Sequence, residues 1–175
     1  MKEISLHILD IVMNSVKAGA SQIGIDLTQT ADGLLTITIT DDGCGMDEET
    51  VRRLSDPFFT TRTTRKVGMG VPLYMLAARQ TGGDVTITSQ LQKGTTVTAT
   101  FHTDHIDCAP LGDITSTLLT LVQGNPDTDL LFTHRFDGRQ VELNTRQIKE
   151  VLTGVPIDSF EVLSWLREYL AEQYI

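Results

Sequence analysis

The sequence predicts an α+β protein: a two-layer α/β sandwich whose mainly antiparallel or mixed sheet carries helices on one face, followed by a small α/β C-terminal extension. Three observations predict it. Residues 34–40 (LLTITIT) alternate apolar and polar side chains, as a half-buried strand does. Residues 3–17 have helical spacing and are apolar around more than half of the circumference. Up to residue 101 the elements run helix, strand, strand, helix, loop, helix, hairpin, an order that favours antiparallel strands beneath a layer of helices.

Composition narrows the class of protein. A chain of 175 residues with 40% hydrophobic and 21% charged residues can bury one sizeable core, or one core with a small appended unit. A net charge of -9 argues against a broad nucleic-acid surface, which needs clustered Lys and Arg. No run of about 18 apolar residues is present, and the two cysteines form no closely spaced pair. We therefore expect a cytoplasmic protein that binds neither a membrane nor nucleic acid.

The first helix carries a narrow polar stripe. His7, Asp10, Asn14 and Lys17 fall together at about 100° per residue, while the remaining circumference is largely apolar. Polar groups on a mostly buried helix must be satisfied by water, a partner or a ligand. We therefore expect the stripe to line a cavity; the alternative is that Asp10 and Lys17 face solvent.

A tight turn follows the clearest strand. After a short strand at residues 21–27, the strand at 34–40 ends abruptly in Asp41-Asp42-Gly43-Cys44-Gly45-Met46. Such a segment is either an ordinary turn or part of a ligand-binding site in which Asp41 recognises the ligand. In the second case the rigid strand would hold Asp41 in place, and the glycines would let a flat ligand approach the backbone.

The middle of the chain has two features that are typical of an anion-binding site: a glycine pair at a helix start and a cluster of basic residues. A helix is predicted over about 47–54. Residues 58–67 show neither helical nor strand periodicity and are predicted to form a loop, after which Gly68-Met69-Gly70 begins a helix that runs to about Thr81. Glycines at a helix start let an anion approach unpaired N–H groups. The loop and the preceding helix hold five of the fourteen basic residues, namely Arg52, Arg53, Arg62, Arg65 and Lys66, a cluster that could attract a small anion.

Three segments are predicted along the chain. A hairpin of strands 85–89 and 95–101 completes a first domain at 1–101, a linker spans 102–112, and a small α/β extension covers 113–175. The extension is predicted to contain a helix at about 113–122, a hairpin turning at Asp137-Gly138, and helices near 145–152 and 158–174. It is either an extension of the first sheet or a small docking or dimerisation unit. Within the linker, His102, His105 and Cys108 have a spacing that could ligate Zn²⁺ or iron, although no second cluster completes a closed site.

The motifs together resemble the nucleotide-binding boxes of the GHKL superfamily, which comprises gyrase, the heat-shock chaperone of the same fold, histidine kinases and mismatch-repair ATPases. The matching stretches are Asp10-x-x-x-Asn14-Ser15, Asp41-x-Gly43-x-Gly45, Phe58-Phe59, Gly68-x-Gly70 and Gly94-Thr95-Thr96, in order over residues 3–101. NSVKAGAS with DDGCGM is similar to the mismatch-repair branch, whereas DPFFTTR followed closely by VGMG is similar to the histidine kinases and anti-sigma factors. The loop at 58–67, which would form a lid over the nucleotide, is short, and this favours the branch of the histidine kinases and anti-sigma factors. The fold implied is the two-layer Bergerat-type sandwich.

The resemblance implies an ATP site. The acid matching Asp41 would accept a hydrogen bond from the adenine amino group, and Asn14 would bind Mg²⁺. Gly68 and Gly70 would lie against the phosphates, with Arg62, Arg65 or Lys66 closing over them. The full set of expected nucleotide-contacting residues is Asn14, Lys17, Asp41, Gly43, Gly45, Met46, Phe58, Arg62, Lys66, Gly68, Met69, Gly70 and Thr96, with Asp10 as the catalytic residue.

Three departures from the family pattern bear on activity. Asp10 stands where hydrolytic members have a glutamate, one methylene longer. Lys66 stands where a kinase lid often has another glycine. No phosphoacceptor hairpin is expected before the domain, and His7 lies inside the nucleotide helix, so it is not that acceptor.

Two functions remain open at this point. One is an enzyme: Mg²⁺-dependent ATP hydrolysis, or phosphoryl transfer to a partner protein in signalling, with Asp10 activating the acceptor. The other is a non-catalytic regulator whose lid responds to ATP and switches the docking of a protein partner. Either form could act as a homodimer.

Overall fold

Six strands and six helices make up the part of the chain that the structure, a computed structural model, describes: residues 3–55 and 70–175. In chain order they are α1 (Ile4–Lys17), β1 (Gln22–Gln29), β2 (Leu34–Asp41), α2 (Glu48–Ser55), α3 (Gly70–Gln80), β3 (Val85–Gln90), β4 (Gly94–His102), α4 (Ile114–Gly124), β5 (Asp129–Phe136), β6 (Arg139–Asn144), α5 (Thr145–Leu152) and α6 (Phe160–Gln173).

The strands form one sheet in the order β3-β4-β2-β1-β5-β6. Every neighbouring pair is antiparallel except β1 and β5, which run parallel. The predicted α+β class with a mainly antiparallel sheet is confirmed. Hairpin turns create most of the antiparallel pairs, whereas β5 reaches β1 only after the chain has passed through α4.

The hydrophobic core lies between one face of the sheet and the helices. In β2, Leu35, Ile37 and Ile39 are at most 1% exposed, and the threonines between them lie on the opposite face. Buried residues of α1, α3, α4 and α6 join the same apolar cluster. The period-2 pattern therefore places β2 with one face against the helices, where its C-terminal end can meet α1.

The predicted linker lies against the start of α1. Helix α1 has no side-chain N-cap; instead the backbone N–H groups of Ile4 and Ser5 donate to the carbonyl oxygens of Pro110 and Leu111, each at 2.9 Å. The first N–H groups of a helix have no intrahelical acceptor, so these two bonds supply what a capping side chain would otherwise supply.

The C-terminal segment extends the first sheet. Strand β5 pairs with β1 and β6 with β5, so β6 becomes an edge strand. The Gln173 side chain covers this edge, because its Oε1 accepts from the Glu142 N–H and its Nε2 donates to the Glu142 carbonyl, both at 2.9 Å. This amide occupies backbone groups that an edge strand would otherwise offer to another strand. The docking or dimerisation role of the segment stays a prediction.

The polar stripe of α1 is divided by the packing of α3. His7 is 3% exposed, its ring lies 5.6 Å from the Tyr74 ring, and its Nδ1 has no hydrogen-bond partner. The prediction that His7 shares a cavity with Asn14 and Lys17 is wrong, because α3 covers the helix at that turn. His7 is a core residue.

Two buried histidines make folding stability sensitive to pH. Burial lowers the pKa of both His7 and His134, and His134 Nδ1 lies 2.9 Å from the Tyr174 hydroxyl. A histidine that resists protonation in the fold contributes full stability above its unfolded pKa of about 6.5 and loses that contribution as pH falls below it.

We predict that the free energy of unfolding, measured with urea, falls by about 1 kcal/mol or more between pH 7.5 and pH 5.5. A variant with both His7→Gln and His134→Gln should show a flatter dependence over the same range. Wild-type stability that stays constant or rises on acidification would contradict this account.

Candidate functional site

A cavity of about 180 Å³ opens where β2 ends against α1. Its walls are mostly apolar, with a few polar groups, as is usual for a small-molecule site. The lining residues are Ile11, Asn14, Ser15, Lys17, Ala18, Asp41, Cys44, Gly45, Met46, Leu54, Val71, Ile87, Thr95 and Val97.

The Asp41 carboxylate is held in place from two sides. It is 9% exposed; Oδ2 accepts from the Ser15 hydroxyl at 2.6 Å, and Oδ1 accepts from the Gly43 N–H at 2.8 Å. One donor comes from α1 and the other from the turn after β2, so the carboxylate joins the two elements. Each carboxylate oxygen can accept more than one hydrogen bond, so Asp41 can still accept one from a ligand.

Two further polar side chains of α1 reach the same cavity. Asn14 and Lys17 both line it, and neither side chain makes a hydrogen bond or ion pair within residues 3–55 and 70–175. An amide and an ammonium group are therefore available to a ligand on the wall that faces Asp41.

Asp10 lies outside this cavity, one helical turn before Asn14. A methyl group built on Gly70 would lie 3.6 Å from the Asp10 Cβ and 4.0 Å from the Asn14 Nδ2. The start of α3 thus passes close to both side chains. Its first N–H groups lack intrahelical acceptors, which makes this end of the helix favourable for negative charge.

The turn after β2 is held by the β3–β4 hairpin. The Cys44 carbonyl accepts from the Gln92 N–H at 2.7 Å, and the Met46 N–H donates to the Ser89 hydroxyl at 2.8 Å. Gly45 has φ 71°, and a Cβ there would lie 2.0 Å from the Gln90 carbonyl oxygen. Glycine is required at this position by the close approach of the hairpin as well as by the positive φ.

The hairpin contributes Thr95, where the sequence predicts Thr96. Alternation along β4 directs Thr95 to the cavity with Val97, while Thr96 faces the outer side of the sheet opposite Thr40. Sequence reasoning also missed the role of Ser15, whose position next to Asn14 is a signal only once a facing carboxylate is known.

Several predicted residues cannot be placed. Phe58, Arg62, Lys66, Gly68 and Met69 lie outside the described residues. Within the described ranges, no group of three or more His, Cys, Asp or Glu side chains could hold a metal ion, so the hypothesis of a site at residues 102–108 gains no support. In the same ranges, no helix has the length and apolar character needed to cross a membrane.

Comparison with known sequences identifies a protein family that matches more than half of the chain. Residues 2–105 match the model of the histidine kinase-, DNA gyrase B- and HSP90-like ATPases. The signal transduction histidine-protein kinase AtoS of Escherichia coli is 33% identical over 93 residues, which cover 52% of this chain and 15% of the kinase. The tetrathionate sensor histidine kinase TtrS of Salmonella typhimurium is 32% identical over 112 residues, covering 62% of this chain and 18% of the kinase. The chain therefore spans less than a fifth of these relatives.

A solved structure shares the fold. The N-terminal domain of a DNA repair protein superposes with a TM-score of 0.55 at 17% identity, covering 82% of this chain and 53% of the other. This coverage exceeds what residues 2–105 alone can supply, so the shared fold includes part of the C-terminal segment.

We predict that Gly45→Ala lowers the free energy of unfolding by about 2 kcal/mol or more, because the methyl group meets the Gln90 carbonyl in a backbone conformation that alanine disfavours. Thermal or urea unfolding measures the change. Gly124→Ala is the matched control, since a methyl group there meets nothing within 4 Å. Equal effects of the two substitutions would show that the hairpin does not constrain this turn.

Proposed function

Since this chain belongs to the histidine kinase-, DNA gyrase B- and HSP90-like ATPase family, we propose that it binds ATP in the cavity at the end of β2. The bound ATP is then hydrolysed, or its γ-phosphoryl group is transferred to a partner protein in a signalling role.

The geometry of Asp41 carries the proposal. Its carboxylate is fixed by Ser15 and Gly43 beside an apolar cavity. A purine needs such a combination: apolar walls for its ring faces and a positioned acceptor for its exocyclic amino group. Gly45 lines the cavity without a side chain, so backbone can lie close to a flat base there.

Asn14 fits the role of Mg²⁺ ligand. Its amide lines the cavity without a protein partner among the described residues, and amide oxygens are among the hard ligands that Mg²⁺ accepts. When bound, the ion would offset charge on the phosphate oxygens. Lys17 adds a positive charge at the same cavity, which favours an anionic ligand.

The phosphate end of the ligand is proposed to point towards α3. The start of this helix lies beside Asn14 and Asp10, and the N-terminal end of a helix favours an anion. By family resemblance, Gly68 and Met69 would lead the backbone to the phosphates, Phe58 would precede the lid, and Arg62 and Lys66 would supply positive charge.

The position of Asp10 bears on whether the protein is an enzyme or a non-catalytic regulator. Its position beside Gly70, one turn from Asn14, supports a general base near the transferring phosphoryl group. Two features support the non-catalytic regulator instead: Asp10 does not line the cavity, and its side chain is shorter than a glutamate.

We predict that Mg-ATP slows alkylation of Cys44, which is exposed at the cavity, and leaves Cys108 unaffected. Cys108 lies outside the cavity and serves as the internal control; mass spectrometry after iodoacetamide treatment follows both thiols. Protection reports ligand occupancy directly.

In the same assay, Asp41→Asn should shift the ATP concentration needed for protection by about 10- to 100-fold, the loss of one charge-assisted hydrogen bond. Asp42→Asn is the matched control, because the Asp42 carboxylate accepts from Ser21 and Gln22 instead of facing the cavity. ATP that protects both cysteines equally, or neither, would refute the proposed site.

We predict further that Asp10→Asn reduces phosphate release by about 100-fold or more while changing ATP affinity less than about threefold, since the base acts on the acceptor and not on binding. A coupled phosphate assay and calorimetry supply the two numbers. If wild-type protein binds ATP yet shows no turnover, the protein is a non-catalytic regulator, and the proposal that it is an enzyme is wrong.

A further inference from the structure

Exposed apolar side chains are concentrated in the C-terminal segment. Of the ten large hydrophobic residues exposed in the described part of the chain, six belong to residues 129–175: Leu131, Val151, Val155, Phe160, Trp165 and Ile175. Exposed apolar side chains indicate an interaction surface where they are contiguous, as Trp165 is with the Tyr169 ring.

Helix α6 carries this stacked aromatic pair. The rings of Trp165 and Tyr169 lie 5.0 Å apart with an interplanar angle of 14°, and Trp165 is 49% exposed. The helix itself is fixed, because Leu166 and Leu170 are fully buried on its other side. A half-exposed tryptophan on a rigid helix is a typical anchor of a protein interface.

Three carboxylates flank the aromatic pair. Glu161, Glu168 and Glu172 are exposed, and with Trp165 they follow the 4-3-4 spacing of one helix face. None of the three forms an ion pair within residues 3–55 and 70–175. We call the surface formed by these three glutamates, Trp165 and Tyr169 the α6 face.

The charge of the α6 face argues against self-association. In a two-fold symmetric dimer the same patch meets itself, so unpaired carboxylates would be brought against unpaired carboxylates. The chain also carries a net charge of -9. A partner with the opposite charge removes this repulsion and supplies the missing counter-ions.

We propose that the α6 face binds a basic helix of a partner protein. Lysine or arginine side chains on that helix would pair with Glu161, Glu168 and Glu172, and one of them would lie over the Trp165 ring, which attracts a cation. The 4-3-4 spacing places Trp165 and the three glutamates on one side of α6, so basic residues along one side of the partner helix would lie opposite the glutamates. This inference goes beyond ATP binding and uses no residue of the nucleotide cavity.

The experiment uses a fluorescein-labelled amphipathic peptide with lysine along one seam as the probe, and a glutamate version of it as the reverse-charge control. Anisotropy gives the affinity for the whole 175-residue chain at low and high salt. Trp165 is the single tryptophan of the chain, so its emission with unlabelled peptide reports contact at the α6 face independently.

Replacing Glu161, Glu168 and Glu172 by Gln together should weaken peptide binding about tenfold at low salt, and Trp165→Ala should weaken it by a similar factor. Glu150→Gln, an exposed acid on α5, is the matched control and should change affinity less than twofold. Trp165→Phe provides a second aromatic variant if the alanine variant unfolds.

Three results would overturn the proposal: no binding of the lysine peptide to wild-type protein, equal losses for the triple variant and Glu150→Gln, or an unchanged Trp165 emission on binding. A wild-type dimer in light scattering that becomes monomeric with Trp165→Phe would also overturn it, by assigning the face to a second copy. Loss of ATP binding with intact peptide binding would count only against the proposed nucleotide site.

Discussion

The hydrogen bonds to the Asp41 carboxylate are the constraint on which the site depends. Ser15 donates from α1 and Gly43 donates from the turn after β2, so one buried acid sets the distance between the helix layer and the end of the sheet. The cavity exists because these layers meet there without closing. A buried carboxylate that lost both donors would be costly to keep ionised, which ties the geometry of the site to the stability of the fold.

The order of the strands separates the cavity from the α6 face. Strands β2, β3 and β4 line the cavity together with α1, whereas β5 and β6 form the other end of the sheet, where β6 contacts α6. Strand β1 lies between them and pairs with both β2 and β5. The cavity and α6 therefore lie at different ends of one continuous sheet.

The sequence predicted helices and strands well because each depends on a local periodicity of apolar and polar residues. The alternation of residues 34–40 and the helical spacing of residues 145–152 both correspond to elements in the structure. Contacts between distant elements were not predictable in the same way. The burial of His7 depends on where α3 packs, and the pairing of β5 with β1 depends on a crossover that no local pattern specifies.

The account rests on Asp41 accepting a hydrogen bond from the adenine amino group. The most direct test is calorimetry with ATP and with inosine triphosphate, in which a carbonyl oxygen replaces that amino group. A fixed acceptor facing another acceptor loses a hydrogen bond and meets repulsion, so ATP should bind at least about tenfold more tightly. Equal affinities for the two nucleotides would contradict the assignment of Asp41.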